Sequence, residues 1–429
     1  MSNHSNIKNL LLLFIFLNSS IQILHAQNPE KCATVAVAKR LAEENPALID
    51  VRKQYEKDIQ QWIENNKSLR LSEEQEAVKT IPVVVHVVYK NTTENISNSV
   101  ITSQLNVLNK DFRKLNTNMV PSSHPFYAIA GDAGIEFCLA SVDPSGNPTS
   151  GITRTSTTAS RFTDDDKVKS SATGGANAWD AKKYLNLWVC DLGSSLLGYA
   201  SFPSDLNAFP SVDGVVIGYQ YFGLSGTIGG ANNLGRTATH EIGHWLDLYH
   251  IWGDEPNCDA DDEVTDTPKQ AAENYTCPAA SNGFATDACT ASNPGIMYQN
   301  YMDYTDDACM SIFTNGQISR MKAVLNTTRT GLFTGVRCSG TTAVNTNIAD
   351  KIRIYPNPVN HYISIEGLPQ TKQPYFNVAF INMLGKVIYT MQFSYKDALL
   401  ELGDLNTGTY IMTISNDDFY ATQKITVVK

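Results

Sequence analysis

Eleven residues, His240-Glu241-Ile242-Gly243-His244-Trp245-Leu246-Asp247-Leu248-Tyr249-His250, constrain this chain more than any other stretch. On a helix, positions 240 and 244 lie one above the other, so both imidazoles can reach one ion while Ile242, Trp245 and Leu246 face a core. Glu241, offset by one position, stands beside such an ion and holds its water instead of ligating it. A third histidine six residues after His244 reaches the same point only if the helix stops and the chain turns back. Three protein ligands leave the fourth tetrahedral place to water, which is the arrangement of a catalytic zinc. The chemistry that follows is hydrolysis by an activated water with Glu241 as general base, and the substrate class that fits is a peptide bond. Two helix histidines satisfied in a core, with a third nearby by accident, are the bland alternative.

The N-terminus has the grammar of a signal peptide. Met1 to Asn9 is polar with one Lys, Leu10 to Leu17 is apolar, and Leu24-His25-Ala26 precedes Gln27. The apolar run is too short to span a bilayer, and no later segment is long enough to try. An exported protein without a membrane span is expected. Eight cysteines in no CxxC pair agree with an oxidising compartment. An acidic balance, 43 Asp and Glu against 33 Lys and Arg, offers no cationic face for nucleic acid.

From Lys31 to about Asn66 apolar residues recur at helical spacing among many charges, which predicts one or two short helices. The Glu-rich stretch from Ser68 to Lys79 reads as a linker with a cleavable Arg70-Leu71 bond. Ile81 to Tyr89, Ile135 to Ala140, Leu185 to Val189 and Gly214 to Tyr219 read as strands, with an amphipathic helix through Ile101, Leu105, Leu108 and Phe112. That mixture predicts an α+β architecture: a twisted mixed sheet with an active-site helix. Gly253 to about Asn300 is rich in Asp, Asn, Pro and Cys and reads as irregular, disulfide-tied chain. After a polar linker come about 80 Cys-free residues with short alternating runs divided by turns, the pattern of a small β-sandwich.

The zinc-ligand segment resembles the metzincin signature, and its surroundings from about Ile81 to Cys338 resemble the pappalysin family, especially its bacterial members. The second shared element is Asn300-Tyr301-Met302-Asp303-Tyr304, which is similar to the family's Met-turn. The resemblance implies a zincin fold, Met302 beneath the three histidines, and Tyr304 near the zinc as an oxyanion donor. It also implies disulfides Cys258 with Cys289 and Cys277 with Cys309, although four cysteines by themselves allow three pairings. Cys138, Cys190 and Cys338 are not placed by it. The chain departs from the family at Asp247, where a Gly is usual for the turn that ends the helix; Asp tolerates that conformation better than most residues.

Asp261 to Pro268 packs oxygen ligands into a loop with no apolar reason to fold, and calcium would order it. The resemblance puts Asp262, the Val264 carbonyl and Thr267 at the calcium positions. A solvated acidic loop is the alternative. Asp306 and Asp307 stand where relatives place acids that favour Arg or Lys after the scissile bond. Cys32 could ligate the zinc as a thiolate and displace its water, as pro-segments do in some metzincins, with a structural disulfide as the rival. The last segment, opening Ile354-Tyr355-Pro356-Asn357-Pro358, resembles the sorting domain of the type IX secretion system, with an adhesion or carbohydrate-binding module as the rival. The expected organisation is a signal peptide over 1–26, a pro-segment over 27–78, a peptidase over 79–340, a linker over 341–350 and a sorting domain over 351–429. The expected activity is a secreted, calcium-stabilised zinc endopeptidase acting on proteins or peptides and exported through the periplasm. A surface adhesin with a decayed zinc site and a zinc hydrolase of non-peptide amides are the alternatives.

Overall fold

The computed structural model describes residues 31–67, 77–224, 230–255, 257–278, 284–335, 337–338, 352–368, 375–382, 387–394, 399–403, 405–416 and 419–429. The signal-peptide reading, the Arg70-Leu71 bond and the linker over 341–350 lie outside these residues. Two helices open the described chain, α1 (Thr34–Glu44) and α2 (Leu48–Asn65). Strand β1 (Lys79–Tyr89) follows, buried along nearly its whole length, because helices or loops cover both faces of the sheet it centres. The helix expected around Leu105 is α3 (Asn98–Asp111), capped by the Ser97 hydroxyl.

β1 pairs in parallel with β2 (Ile135–Leu139) along its first half and with β3 (Ile152–Ser156) along its second. On its other side lie β4 (Leu185–Cys190) and then β6 (Val215–Gly218), also parallel, and the antiparallel edge strand β5 (Gly198–Ala200) closes the sheet. The order is therefore β2-β1-β4-β6-β5, with β3 also paired to β1. One face packs Val83, Val85, Leu187, Val189 and Ile217 against Ile101 and Leu108 of α3 and Ile242 and Trp245 of α4 (Arg236–Trp245). The other face presents Val88, Trp188, Tyr199 and Val216 to Val37, Leu41 and Leu48 of the N-terminal helices. A last helix, α5 (Asn315–Asn326), packs beside α2.

The C-terminal unit has its own core around Phe376, Phe380, Met412 and Ile363. Strands β10 (Val387–Ser394), β9 (Tyr375–Asn382), β12 (Gly408–Asn416) and β13 (Phe419–Val427) form one antiparallel sheet in that order. β11 (Leu399–Glu401), β8 (Tyr362–Glu366) and β7 (Arg353–Tyr355) form another. Two facing sheets make the expected sandwich, with β7 and β11 added to the five strands legible in the sequence. No described helix is long and apolar enough to cross a membrane.

Candidate metal centre and cleft

The metal centre is built on α4, all ten residues of which are buried. Trp245 fastens the helix from below: its indole N–H donates to Asp213 (3.0 Å), and Arg329 forks onto the same carboxylate (3.0 and 2.8 Å). The helix ends with Asp247 in the left-handed region (φ 74°). The Leu248 N–H reaches back to the Gly243 carbonyl (2.9 Å) and the Asp247 N–H to that of His244 (2.9 Å). This pair of bonds is the Schellman closure, in which glycine is the usual left-handed residue. Here the side chain supplies what glycine would not. Asp247 accepts from an Arg320 guanidinium N–H (2.7 Å), the Arg320 Nε–H donates to the Asp247 carbonyl (3.0 Å), and both residues are buried. The departure from glycine is thus part of the turn, not a sign of decay.

That turn returns His250 to the helix, and the three Nε2 atoms of His240, His244 and His250 lie 3.1 to 3.2 Å from one another. Each ring is fixed through its other nitrogen: His240 Nδ1 donates to the Tyr301 carbonyl (2.7 Å), His244 Nδ1 to that of Leu248 (2.7 Å), and His250 Nδ1 to Asp254 Oδ1 (2.5 Å). With the Nδ1 protons so committed, three Nε2 lone pairs converge on one point, and only a cation satisfies them together. Burial pushes His240 down to about 3 and His244 well down, so both stay neutral, as ligands must. The donor set fits zinc.

Met302 lies fully buried under the helix, so near that a Cβ on Gly243 would come within 2.5 Å of its sulfur. Tyr304 packs its ring edge-on to His250, 5.0 Å between centroids, and its hydroxyl donates to the Cys32 carbonyl (3.2 Å). Glu241 is buried and points to the same opening. Its Oε2 accepts from the Thr34 hydroxyl (2.9 Å) and the Cys32 thiol (3.3 Å), while Oε1 has no hydrogen-bond partner among the described residues. Burial raises its carboxyl to about 8 against those two hydrogen bonds.

The segment Lys31 to Thr34 occupies the cleft. Cys32 Sγ joins the three histidine nitrogens, all four atoms within 4.8 Å of one another. Its thiol is pushed well up by burial and then by Glu241. The Ala33 N–H donates to Gly198 O of edge strand β5 (3.1 Å), the Lys31 carbonyl accepts from the Leu197 N–H (3.0 Å), and the Thr34 hydroxyl accepts from the Ala200 N–H (2.8 Å). Lys31 Nζ donates to the Tyr304 carbonyl (2.7 Å) and to Asn232 (3.1 Å). Burial lowers its pKa against the opposing charges of Asp307, Asp306 and Asp303. Asp307 also caps α4 by accepting from the N–H groups of Leu234 (2.7 Å) and Arg236 (3.2 Å).

Further along, the Thr267 hydroxyl oxygen lies 2.6 Å from Asp262 Oδ1 and 2.8 Å from the Val264 carbonyl oxygen, so the three residues of the acidic loop converge. Asp262 is buried with Oδ2 unpartnered among the described residues, and burial lifts its carboxyl to about 7. The donor set and the orphaned oxygen fit a hard cation such as calcium. Disulfides join Cys258 to Cys289 and Cys277 to Cys309, and a third joins Cys138 to Cys338; Cys32 and Cys190 are free thiols among the described cysteines.

Sequence reasoning missed Thr34, Asp254 and Arg320. Asp254 carried one signal, a carboxylate four positions beyond the third histidine. Arg320 and Thr34 act on residues 73 and 207 positions away and left none.

Residues 168–326 match the family described as pregnancy-associated plasma protein-A, and residues 353–428 match the secretion system C-terminal sorting domain. The chain is 30% identical over 262 residues to an extracellular metalloprotease of Arthroderma otae, covering 59% of this chain and 80% of that one. It is 32% identical over 263 residues to another from Pyricularia oryzae, covering 59% and 77%. Among solved structures it resembles mature mirolysin of Tannerella forsythia in complex with a cleaved peptide, with TM-score 0.58, 50% identity, and coverage of 60% of this chain and 96% of that one. A promirolysin mutant from the same organism matches over 70% of this chain and 96% of its own, with TM-score 0.61 and 45% identity.

Proposed function

The chain belongs to the pregnancy-associated plasma protein-A family of metalloproteases, and from that premise we propose that it is a zinc endopeptidase made latent, with Glu241 as general base and the stretch from Lys31 to Thr34 as its lock. It is a secreted metalloprotease with a C-terminal sorting domain. The observation that carries the finer reading is the convergence of the three histidine nitrogens and Cys32 Sγ on one point beside Glu241.

His240, His244 and His250 would hold a zinc ion, which would supply Lewis acidity and a nucleophilic water at neutral pH. Glu241 takes a proton from the attacking water and passes it to the nitrogen of the leaving amine. Tyr304 donates its hydroxyl to the carbonyl under attack, a role supported by its bond to the Cys32 carbonyl, which lies where a bound chain would run. Met302 floors the site.

In the latent form the Cys32 sulfur would stand where the metal's water binds, and the Thr34 and Cys32 hydrogen bonds occupy the base. Residues 1–26 would be the leader, 27–78 the pro-segment, 79–340 the peptidase and 351–429 the sorting domain, with activation after Arg70. Lys31 beside Asp303, Asp306 and Asp307 supports a preference for Lys or Arg after the scissile bond. Calcium at Asp262, the Val264 carbonyl and Thr267 would hold the rim, as the unpartnered Asp262 oxygen supports. The relatives' activity and the intact histidine set favour peptide bonds over the adhesin and the non-peptide amide readings.

The test is casein cleavage by the zinc-loaded, processed protein beside Glu241→Ala, with product termini read by mass spectrometry. Glu241→Ala should lose about 10² to 10⁴ in rate. Cys32→Ala should be active without processing, and calcium should raise the melting midpoint. Stoichiometric zinc with no cleavage by the native processed form would sink the peptidase mechanism, and a full-length Cys32→Ala as silent as wild type would sink the lock.

A further inference from the structure

The three rings of the metal centre are not anchored alike. His240 and His244 donate from Nδ1 to backbone carbonyls of Tyr301 and Leu248. His250 donates to a carboxylate, Asp254 Oδ1, at 2.5 Å. His250 also stands on irregular chain, beyond the end of α4, where no helical backbone fixes its side-chain direction.

The chain is shaped to deliver that carboxylate. Gly253 (φ 71°) and Asp254 (φ 60°) are consecutive left-handed residues, and the Gly253 N–H closes on the His250 carbonyl (2.9 Å). A non-glycine residue is strained in that region, yet Asp254 holds it. At Gly253 a Cβ would meet the Asp261 nitrogen at 2.6 Å and the Ala260 Cβ at 2.8 Å, so the returning loop presses the turn from outside. Trp252 stacks flat on the His250 ring, 4.3 Å between centroids and 8° between planes, so the ring is clamped on its face as well as its edge.

We propose that Asp254 is the positioning residue of the third metal ligand: its carboxylate fixes the His250 ring with Nε2 toward the metal and brings a negative charge that the carbonyl partners of His240 and His244 lack. The inference rests on the zinc reading above. A carboxylate on the far nitrogen of a ligating imidazole both sets its tautomer and raises its basicity, and loss of such a partner costs about 10-fold to 100-fold in metal affinity. A carbonyl partner fixes orientation without supplying net charge, which is all that His240 and His244 need on a rigid helix.

Zinc affinity of the full chain, measured by competition with a chromogenic chelator, tests this together with the visible spectrum of the cobalt-substituted protein. Asp254→Ala should bind zinc about 10-fold to 100-fold more weakly and alter the cobalt spectrum. Asp254→Asn, which keeps an acceptor oxygen but not the charge, should fall between Ala and wild type. Affinity of both variants within about threefold of wild type would overturn the proposal; should the Ala variant fail to fold, the Asn variant decides alone on the same criterion. His250→Ala separates the two levels of the argument. If it too binds zinc as tightly as wild type, the zinc reading has failed; if it loses zinc while the Asp254 variants do not, only the positioning role has.

Discussion

Two kinds of chain meet at the metal centre, the helix that carries His240, Glu241 and His244, and the turn-rich stretch from Leu246 to Asp254 that carries His250. On the helix, polar side chains are met by neutral groups or by a carboxylate that already has a cation. Backbone carbonyls hold the two rings, and the neighbouring Thr239 hydroxyl finds Asp111 of α3 (2.7 Å). The second stretch has three left-handed residues in nine, at Asp247, Gly253 and Asp254, and two of them bring carboxylates that need cationic or N–H partners. Asp247 takes Arg320 of α5, and Arg320 in turn forks onto Glu56 of α2 (2.8 and 2.7 Å). Helical backbone pairs with itself, whereas the bent stretch carries a buried carboxylate that draws its cation from 73 positions away.

The largest effect expected from that difference is at Arg320. Replacing it by Ala strands Asp247, which is fully buried, while the half-buried Glu56 keeps its bonds from Gln60 and Tyr249. Removing one partner of a buried pair costs about 3 to 5 kcal/mol. Denaturant unfolding of Arg320→Ala should show that loss. Thr239→Ala on the helix side, which leaves Asp111 paired with Arg236 (2.8 Å), should cost about 1 kcal/mol. Equal costs at the two positions would erase the distinction between the halves.

Two buried groups, one on the sheet and one in the turn, should also answer pH with opposite signs. His86 on β1 is stacked on Trp188 and bonded to Thr153 and Asn186, and burial lowers it to about 4. An unfolded histidine titrates near 6.5. Between those values the unfolded state binds the extra proton, so the His86 contribution is complete above about pH 6.5 and is lost as pH falls toward 4, about 3 kcal/mol in all. Asp247 runs the other way. Burial raises it to about 6, above the unfolded value near 3.9, so its contribution is complete below that value and declines as pH rises through 6. In urea unfolding from pH 4 to 7, the stability of the wild type relative to His86→Gln should rise with pH; a pH-independent difference would mean that His86 does not titrate in this way.

The sequence made the regular half readable and most of the other half not. The histidine spacing, the β-branched run of β1 and the two N-terminal helices are local patterns, and Met302 and Tyr304 were reachable through family likeness. Helix α5 was not, because its buried face carries Gln317, Ser319 and Arg320, which break an apolar period. Thr314 and Gln317 at its start form a capping box, and that spacing was the available signal. Strand β5 is only three residues long, too short for an alternation to register, yet it lines the cleft. Cys138 and Cys338 pair across 200 positions, and Thr34 meets Glu241 across 207. Nothing local encodes such meetings.

The smallest expected effect is also the sharpest probe of the turn. Asp247→Gly restores the residue most at ease in a left-handed cap and so relieves strain of about 1 to 2 kcal/mol. It also removes one of the two carboxylates on Arg320, but Glu56 remains in the full chain with both its oxygens on the guanidinium. Gain and loss should therefore nearly cancel, leaving full-length Asp247→Gly within about 1 kcal/mol of wild type. The cancellation depends on Glu56. In Glu56→Ala/Asp247→Gly the buried Arg320 keeps only the Asp247 carbonyl position and the Tyr249 ring, 5.0 Å away, and the double variant should fall well below the sum of the singles. Additive losses would mean that the two carboxylates act on Arg320 independently, and that the turn does not draw on the N-terminal segment for its charge balance.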